Sequence, residues 1–316
     1  MKINASAPGN LMLMGEHAVL HGELAIACAV EQRIRVTLEP LESQVLRVSS
    51  ALSNYQDDLR SLADDPQLRF VLQAVRSLTG QLPGGLHLKI DSEFSHRVGL
   101  GSSAAVTVAV TAALQQWVED CYDRRQVFER ALETVLAVQG RGSGTDLAAS
   151  TYGAVIGYRV DPLEIIPLDA VPQIGLYYCG YKTPTPDVLA RVAAEEQRFP
   201  ELYKQLYQLM GAATKEALAA AAAQNWPLLG QLMNYYQGLM DALGVNDKTL
   251  ADIVYRLRAG SAAATLDNSG VYGAKISGSG LGDCVISLGR PNGVDIPYDE
   301  IPVKVAPEGV KVDVQR

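Results

Sequence analysis

A chain of 316 residues can form two domains of ordinary size or one large one. Apolar residues make up 48% and charged residues 20%, a globular mixture with no compositional case for long disorder. A net charge of -8 argues against a non-specific nucleic-acid binder, which needs a basic surface, but not against an anionic small molecule held by backbone amides.

In chain order, "PGNLMLMGEHAVLHG" (8–22) comes first. A Pro-Gly turn signal leads into a short apolar run that reads as a buried strand, followed closely by Glu16, His17 and His21. "LMLM" is too short for a signal-peptide core. "IRVTLEP" (34–40) and "VLRVSS" (45–50) are β-branched with rough alternation, which predicts strands. "DPQLRFVLQAVRSLTG" (65–80) has helical spacing, with Gly80 as its expected C-cap. "GGLHLKID" (84–91) alternates cleanly, as a strand does. Helices are predicted from Ser102 through Asp120 and from Arg125 to Gln139. The run "AAVTVAVTAAL" (104–114) is broken by threonines and falls short of a membrane span. "YGAVIGYR" (152–159) reads as a strand.

The second half differs. Asp187 to Leu243 is rich in Ala, Leu, Glu and Gln, all strong helix formers, and places apolar residues on more than one face. A further helix is predicted over 248–258. "GVYGAKISG" (270–278) and "GDCVISLG" (282–289) read as strands around a glycine-rich loop, and extended stretches follow from about 291. The class is α+β in mixed order. The pattern changes near 160–170, giving an N-terminal domain over 1–165 and a C-terminal domain over 166–316. Cys28, Cys121, Cys179 and Cys284 form no C-x-x-C pair. Free thiols of a cytoplasmic, reducing compartment are expected, with no membrane partner.

Three glycine-rich loops carry the chemistry. In "RVGLGSSAAVTVAV" (97–110), Gly99 and Gly101 let the backbone approach a ligand, and Ser102 and Ser103 stand where a helix begins. Unpaired first-turn amides and the helix dipole make that start an anion site; a tight turn with a serine N-cap is the plainer reading. No Walker A sequence occurs. In "GRGSGTDLAASTYG" (140–153), Thr145 and Asp146 open a short helix. Asp146 is either the N-cap or an ionised carboxylate able to accept a hydroxyl proton. "GSGLG" (278–282) is too glycine-rich for an ordinary hairpin and suggests a loop packed on a ligand or another backbone.

Taken together, "PGNLMLMGEHAVLHG", "GLGSSAA", "GSGTDLAASTYG" and "GAKISGSGLGDCVISL" resemble the GHMP kinases, in that family's order and over nearly the whole chain. "GEHAVLHG", "GYKTPTPDVLARV" and "LMNYYQGLMDALGV" look most like the mevalonate kinase branch. "GSGTDLAAS.YG" and "GDC" are similar to the phosphomevalonate kinase branch, and a sugar kinase is a more distant alternative. A relative that binds nucleotide or metabolite without turnover is a further one.

The resemblance implies a two-domain fold: an N-terminal domain like ribosomal protein S5 and a ferredoxin-like C-terminal domain. It implies ATP and Mg²⁺, with phosphates on Arg97, Gly99, Leu100, Gly101, Ser102, Ser103 and Ala104, and with Ser103 on the metal. Asp146 matches the aspartate proposed as the base. Glu16 and His17 match residues that line the acceptor pocket, where Tyr152, Gly278 and Ser279 are also expected. The acceptor implied is mevalonate or a related hydroxy acid; a homodimer is a possible assembly. The sequence departs from the branch twice. Asn10 stands where those kinases usually carry lysine, so Asn10 is expected to take a catalytic part. Val135 stands where they carry a metal-binding glutamate, and Glu133 lies on another helix face. Lys182, Arg97 and Lys275 are the candidates to replace the missing positive charge.

Overall fold

The computed structural model describes residues 1–94, 99–260 and 270–315. Two compact units divide the chain: Met1–Asn10, Ala29–Gly153 and Glu308–Arg316 in the first, Leu11–Cys28 and Ala154–Pro307 in the second. This differs from the single division after residue 165 expected from the sequence. Composition reports local preference, whereas unit membership follows strand pairing. The long strands β1 (Lys2–Met14) and β2 (Ala25–Leu41) each contribute residues to both units.

In the first unit, β1 runs straight through Pro8-Gly9, so the predicted turn is absent. A Cβ on Gly9 would lie 2.8 Å from the Leu100 carbonyl oxygen and 3.0 Å from Val30 Cγ2. Glycine is required there for close approach rather than for a bend. The sheet order is C-terminal strand (Lys311–Gln315), β1, β2, β5 (Gly85–Ser92), β3 (Val45–Ser50), β4 (Asn54–Asp58). β2 pairs antiparallel with β5 from Ile34↔Ser92 to Leu41↔Gly85, and β3 pairs parallel with β5. A parallel pairing needs a crossover, and α1 (Arg69–Arg76) lies in it.

Helix α1 stops before Gly80, because Ser77 Oγ and Thr79 Oγ1 take the Ala74 and Val75 carbonyls. Gly80 sits instead in a 3₁₀ turn over Thr79–Gln81. The apolar run at 104–114 is the centre of α2 (Ser102–Glu119), buried on most of its faces. It packs against α1, α3 (Arg124–Gln139) and α4 (Thr145–Tyr152).

In the second unit, β6 (Val155–Arg159) pairs with Ala25–Cys28 of β2 and with β7 (Glu164–Leu168). A separate four-stranded antiparallel sheet has the order β11 (Asp299–Glu300), β8 (Ile174–Tyr178), β10 (Cys284–Gly289), β9 (Val271–Ser277). The helix-forming stretch resolves into α5 (Thr185–Arg198), α6 (Pro200–Ala222) and α7 (Trp226–Ala242), with Pro200 and Pro227 in first turns, where their missing N–H costs nothing. Helices α7 and α8 (Lys248–Ala259) pack on β9. Among the described residues, no helix is long and apolar enough to cross a membrane.

Candidate active site

The first unit brings two helix starts together. Helix α2 begins at Ser102 with Gly101 as N-cap, φ 65°, and among the described residues no side chain caps it. Its first intrahelical bond from outside the helix is Ala105 N to Gly101 O, 3.0 Å. The amides of Ser102, Ser103 and Ala104 therefore lie at the positive end of the helix dipole with no intrahelical acceptor. Ser103 is exposed and Ser102 half-buried. The serine N-cap reading does not hold, because glycine takes that place.

Helix α4 also begins on a glycine. Gly144 is its N-cap, the Thr145 amide donates to Ser143 Oγ over 3.3 Å, and Asp146 stands exposed in the first turn. The N-cap reading of Asp146 falls in the same way. A carboxylate at that position is favoured in its charged form by the dipole.

Asn10 ties these starts together. It is 2% exposed, its N–H donates to Leu100 O over 3.0 Å, and its Nδ2 donates to Ser150 Oγ over 3.0 Å. Ser150 lies one turn after Asp146 on α4. A Cβ on Gly101 would stand 2.1 Å from Asn10 Nδ2. Asn10 thus braces the loop at Gly101 and bears on Asp146 through α4. Tyr152 ends α4, about 9 Å of helix rise from Asp146. The charged groups acting on it are Arg125, Asp123, Glu129 and Arg124. Gly99 and Leu100 lead directly into Gly101. Arg97 lies outside the described residues.

The second unit assembles Glu16, His17, Gly278 and Ser279. Glu16 Oε1 accepts from Lys275 Nζ at 2.5 Å and from Gly278 N at 3.3 Å. His17 Nε2 bonds to Ser279 O at 2.9 Å. Tyr236 Oη donates to Glu16 O at 2.9 Å. Burial lowers the pKa of His17 and outweighs the hydrogen bond to Ser279, which works the other way. Burial also lowers Lys275, opposed by the charge of Glu16. Lys182 pairs with Asp283 at 2.7 Å. Both lysines named as replacements for the missing charge therefore already have a carboxylate partner.

One feature escaped the sequence reading. A cavity of about 440 Å³ in the first unit is lined by Ile34, Leu68, Phe70, Ile90 and Val106, with Ser102 and Ser103 at its wall. An apolar chamber of this size beside an anion site suits a flat heterocycle carrying phosphates. Its walls come from five separate stretches, so no local pattern announces it.

Residues 69–154 match the family model for the GHMP kinases N terminal domain, and residues 215–296 match that for GHMP kinases C terminal. The mevalonate kinase of Pyrococcus furiosus is 31% identical over 312 residues, covering 92% of this chain and 90% of that one. The chain belongs to the GHMP kinases. It is an ATP-dependent phosphotransferase. The L. major mevalonate kinase, solved in complex with R-mevalonate, is 25% identical with a TM-score of 0.70, covering 90% of this chain and 86% of that one. A Lin0012 protein from Listeria innocua shares the fold, with a TM-score of 0.81 at 22% identity and 99% coverage of both chains.

For a GHMP kinase, the metal-binding side is sparse. Among the described residues no group of three or more His, Cys, Asp or Glu could hold a metal ion. Val135 is half-buried on α3, with Cγ1 3.3 Å from where a Cβ on Gly142 would stand. It therefore faces the glycine-rich loop ahead of Asp146, while Glu133 is exposed.

Proposed function

We propose that this chain transfers the γ-phosphoryl group of ATP to the alcohol of mevalonate. The observation that carries the reading is the start of α2 at Ser102, whose first-turn amides have no intrahelical acceptor, tied to α4 by Asn10 and set beside an apolar cavity. The choice of acceptor is supported by the relatives named mevalonate kinase, matched over nine-tenths of the chain.

The base of ATP takes the cavity, and its phosphates take the amides of Ser102–Ala104 with Gly99, Leu100 and Gly101 behind them. Ser103 would offer its hydroxyl oxygen to Mg²⁺ beside the phosphates, where the ion would neutralise charge. The alcohol oxygen bonds to the γ-phosphorus as the bond to the β-phosphate oxygen breaks, and ADP leaves. Asp146 takes the alcohol proton. Positioning and charge neutralisation carry most of such a transfer, so one well-held carboxylate is enough. Asn10 serves by fixing the loop and α4. Glu16, His17, Gly278 and Ser279 hold the acceptor. The free cysteines suit the cytoplasm, where thiols stay reduced.

The test is ADP release in a panel of mevalonate, phosphomevalonate, homoserine and several sugars. Release with mevalonate is expected. Release with phosphomevalonate or a sugar, and none with mevalonate, overturns the assignment.

A further inference from the structure

Lys275 is 0% exposed, as are Tyr236 and Ile276 beside it, and Glu16 is buried too. Its ammonium contacts Glu16 Oε1, donates to the Ile276 carbonyl and lies 5.5 Å from the centre of the Tyr236 ring. A cation buried this deeply is costly unless its partner is well placed. Here the partner is only half used. Glu16 Oε1 takes both Lys275 and Gly278 N, while Glu16 Oε2 is buried with no hydrogen-bond partner among the described residues.

His17 shows the same asymmetry. Its Nε2 faces the Ser279 carbonyl, so Nε2 carries the hydrogen and Nδ1 of the neutral ring is an acceptor. Nδ1 is likewise buried and unpartnered. The backbone of His17 is held at φ 61°, a conformation that ordinary side chains avoid. Two adjacent residues thus each spend one polar atom on the 275–279 segment and leave one acceptor open. A buried acceptor left open is costly, and strained backbone is tolerated where a ligand uses it.

We infer that Lys275 is a positioning residue: it pins Glu16 Oε1 so that Glu16 Oε2 and His17 Nδ1 are presented together as the acceptors that share the single hydrogen of a hydroxyl of the phosphoryl acceptor, other than the one that reacts. This rests on the functional reading above. Its added content is the polarity: the acceptor's hydroxyl, a donor, is read here, and its carboxylate is not. Lys275 acts only through Glu16 and takes no part as a replacement for the missing lysine.

Glu16→Gln isolates the claim. Lys275 and Gly278 N are both donors, so they select the amide oxygen and turn the amide NH₂ to where Oε2 stood. The acceptor KM is expected to rise about tenfold, the loss of one hydrogen bond, with kcat and the KM for ATP nearly unchanged. Lys275→Met alone leaves a buried carboxylate unpaired and risks misfolding. Glu16→Gln/Lys275→Met has no such charge and is the decisive variant. Its acceptor KM is expected to match that of Glu16→Gln within about twofold, because Lys275 has nothing else to act through. A further tenfold rise in the double variant overturns the inference, as does Glu16→Gln with a parental acceptor KM. If the parent turns over another acceptor and not mevalonate, the functional reading falls and the same variants test the inference on that acceptor. A parent that phosphorylates nothing in the panel sinks both.

Discussion

Asn10 Nδ2 donates to Ser150 Oγ across 3.0 Å, joining residues 140 apart in sequence. The same side chain fills the space beside Gly101. Asn10→Ala removes that bond and leaves a buried hydroxyl without its partner. A fall in kcat/KM of about tenfold is expected, with a loss of roughly 1–2 kcal/mol of unfolding free energy. Coupled-assay kinetics and urea unfolding on the same preparation check both. A parental kcat/KM would deprive Asn10 of any part in catalysis.

Gly101 stands at φ 65°, and a Cβ there meets Asn10 Nδ2 at 2.1 Å. Gly101→Ala therefore adds left-handed strain of about 1–2 kcal/mol and pushes the brace away. The KM for ATP is expected to rise about tenfold or more, with a smaller change in the acceptor KM. Equal changes in both constants would mean that the loop does not hold the nucleotide.

Asp146 tests the chemistry itself. Because Gly144 is the N-cap, replacing Asp146 removes no cap. Asp146→Asn should melt close to the parent and bind ATP as well, while turnover falls by roughly 10²–10⁴. Calorimetric titration with ATP beside kcat separates the two. Near-normal turnover would rule out Asp146 as the base.

The buried His17 gives a pH dependence of definite sign. Its folded pKa lies below the ordinary imidazole value of 6.5 because burial penalises the charged ring. As pH falls below that value, the unfolded chain takes up a proton that the folded chain refuses, so stability present above it is lost. His17→Asn keeps a residue that tolerates positive φ and removes the titration. Between about pH 6.5 and 5.5, unfolding free energy should fall less steeply in the variant, by up to roughly 1.4 kcal/mol per pH unit. Parallel slopes in chemical denaturation would show that His17 does not titrate differently on folding.

The cavity invites a steric test. Val106→Phe places a ring against the chamber lined by Ile34, Leu68, Phe70 and Ile90. The KM for ATP is expected to rise about tenfold while the acceptor KM holds, because the change reaches only the nucleotide side. An unchanged KM for ATP would show that the base lies elsewhere.

The sequence by itself determined most of the elements and the places of the glycine-rich loops. Alternation marked β5, helical spacing marked α2, and the glycine-serine run marked where α2 begins, because each depends on neighbours a few residues apart. Motif order was enough to recognise the family. The domain division was not legible, since β1 and β2 serve both units and strand pairing is a long-range choice. Pro8-Gly9 reads as a turn in isolation, and only the approach of the Leu100 carbonyl makes it straight strand. The Ser150 partner of Asn10, the five-stretch cavity and the Glu16–Lys275 pair share that cause. Each depends on which atoms the fold brings within about 3–4 Å, and a hydrogen bond or ion pair leaves no periodicity in the chain.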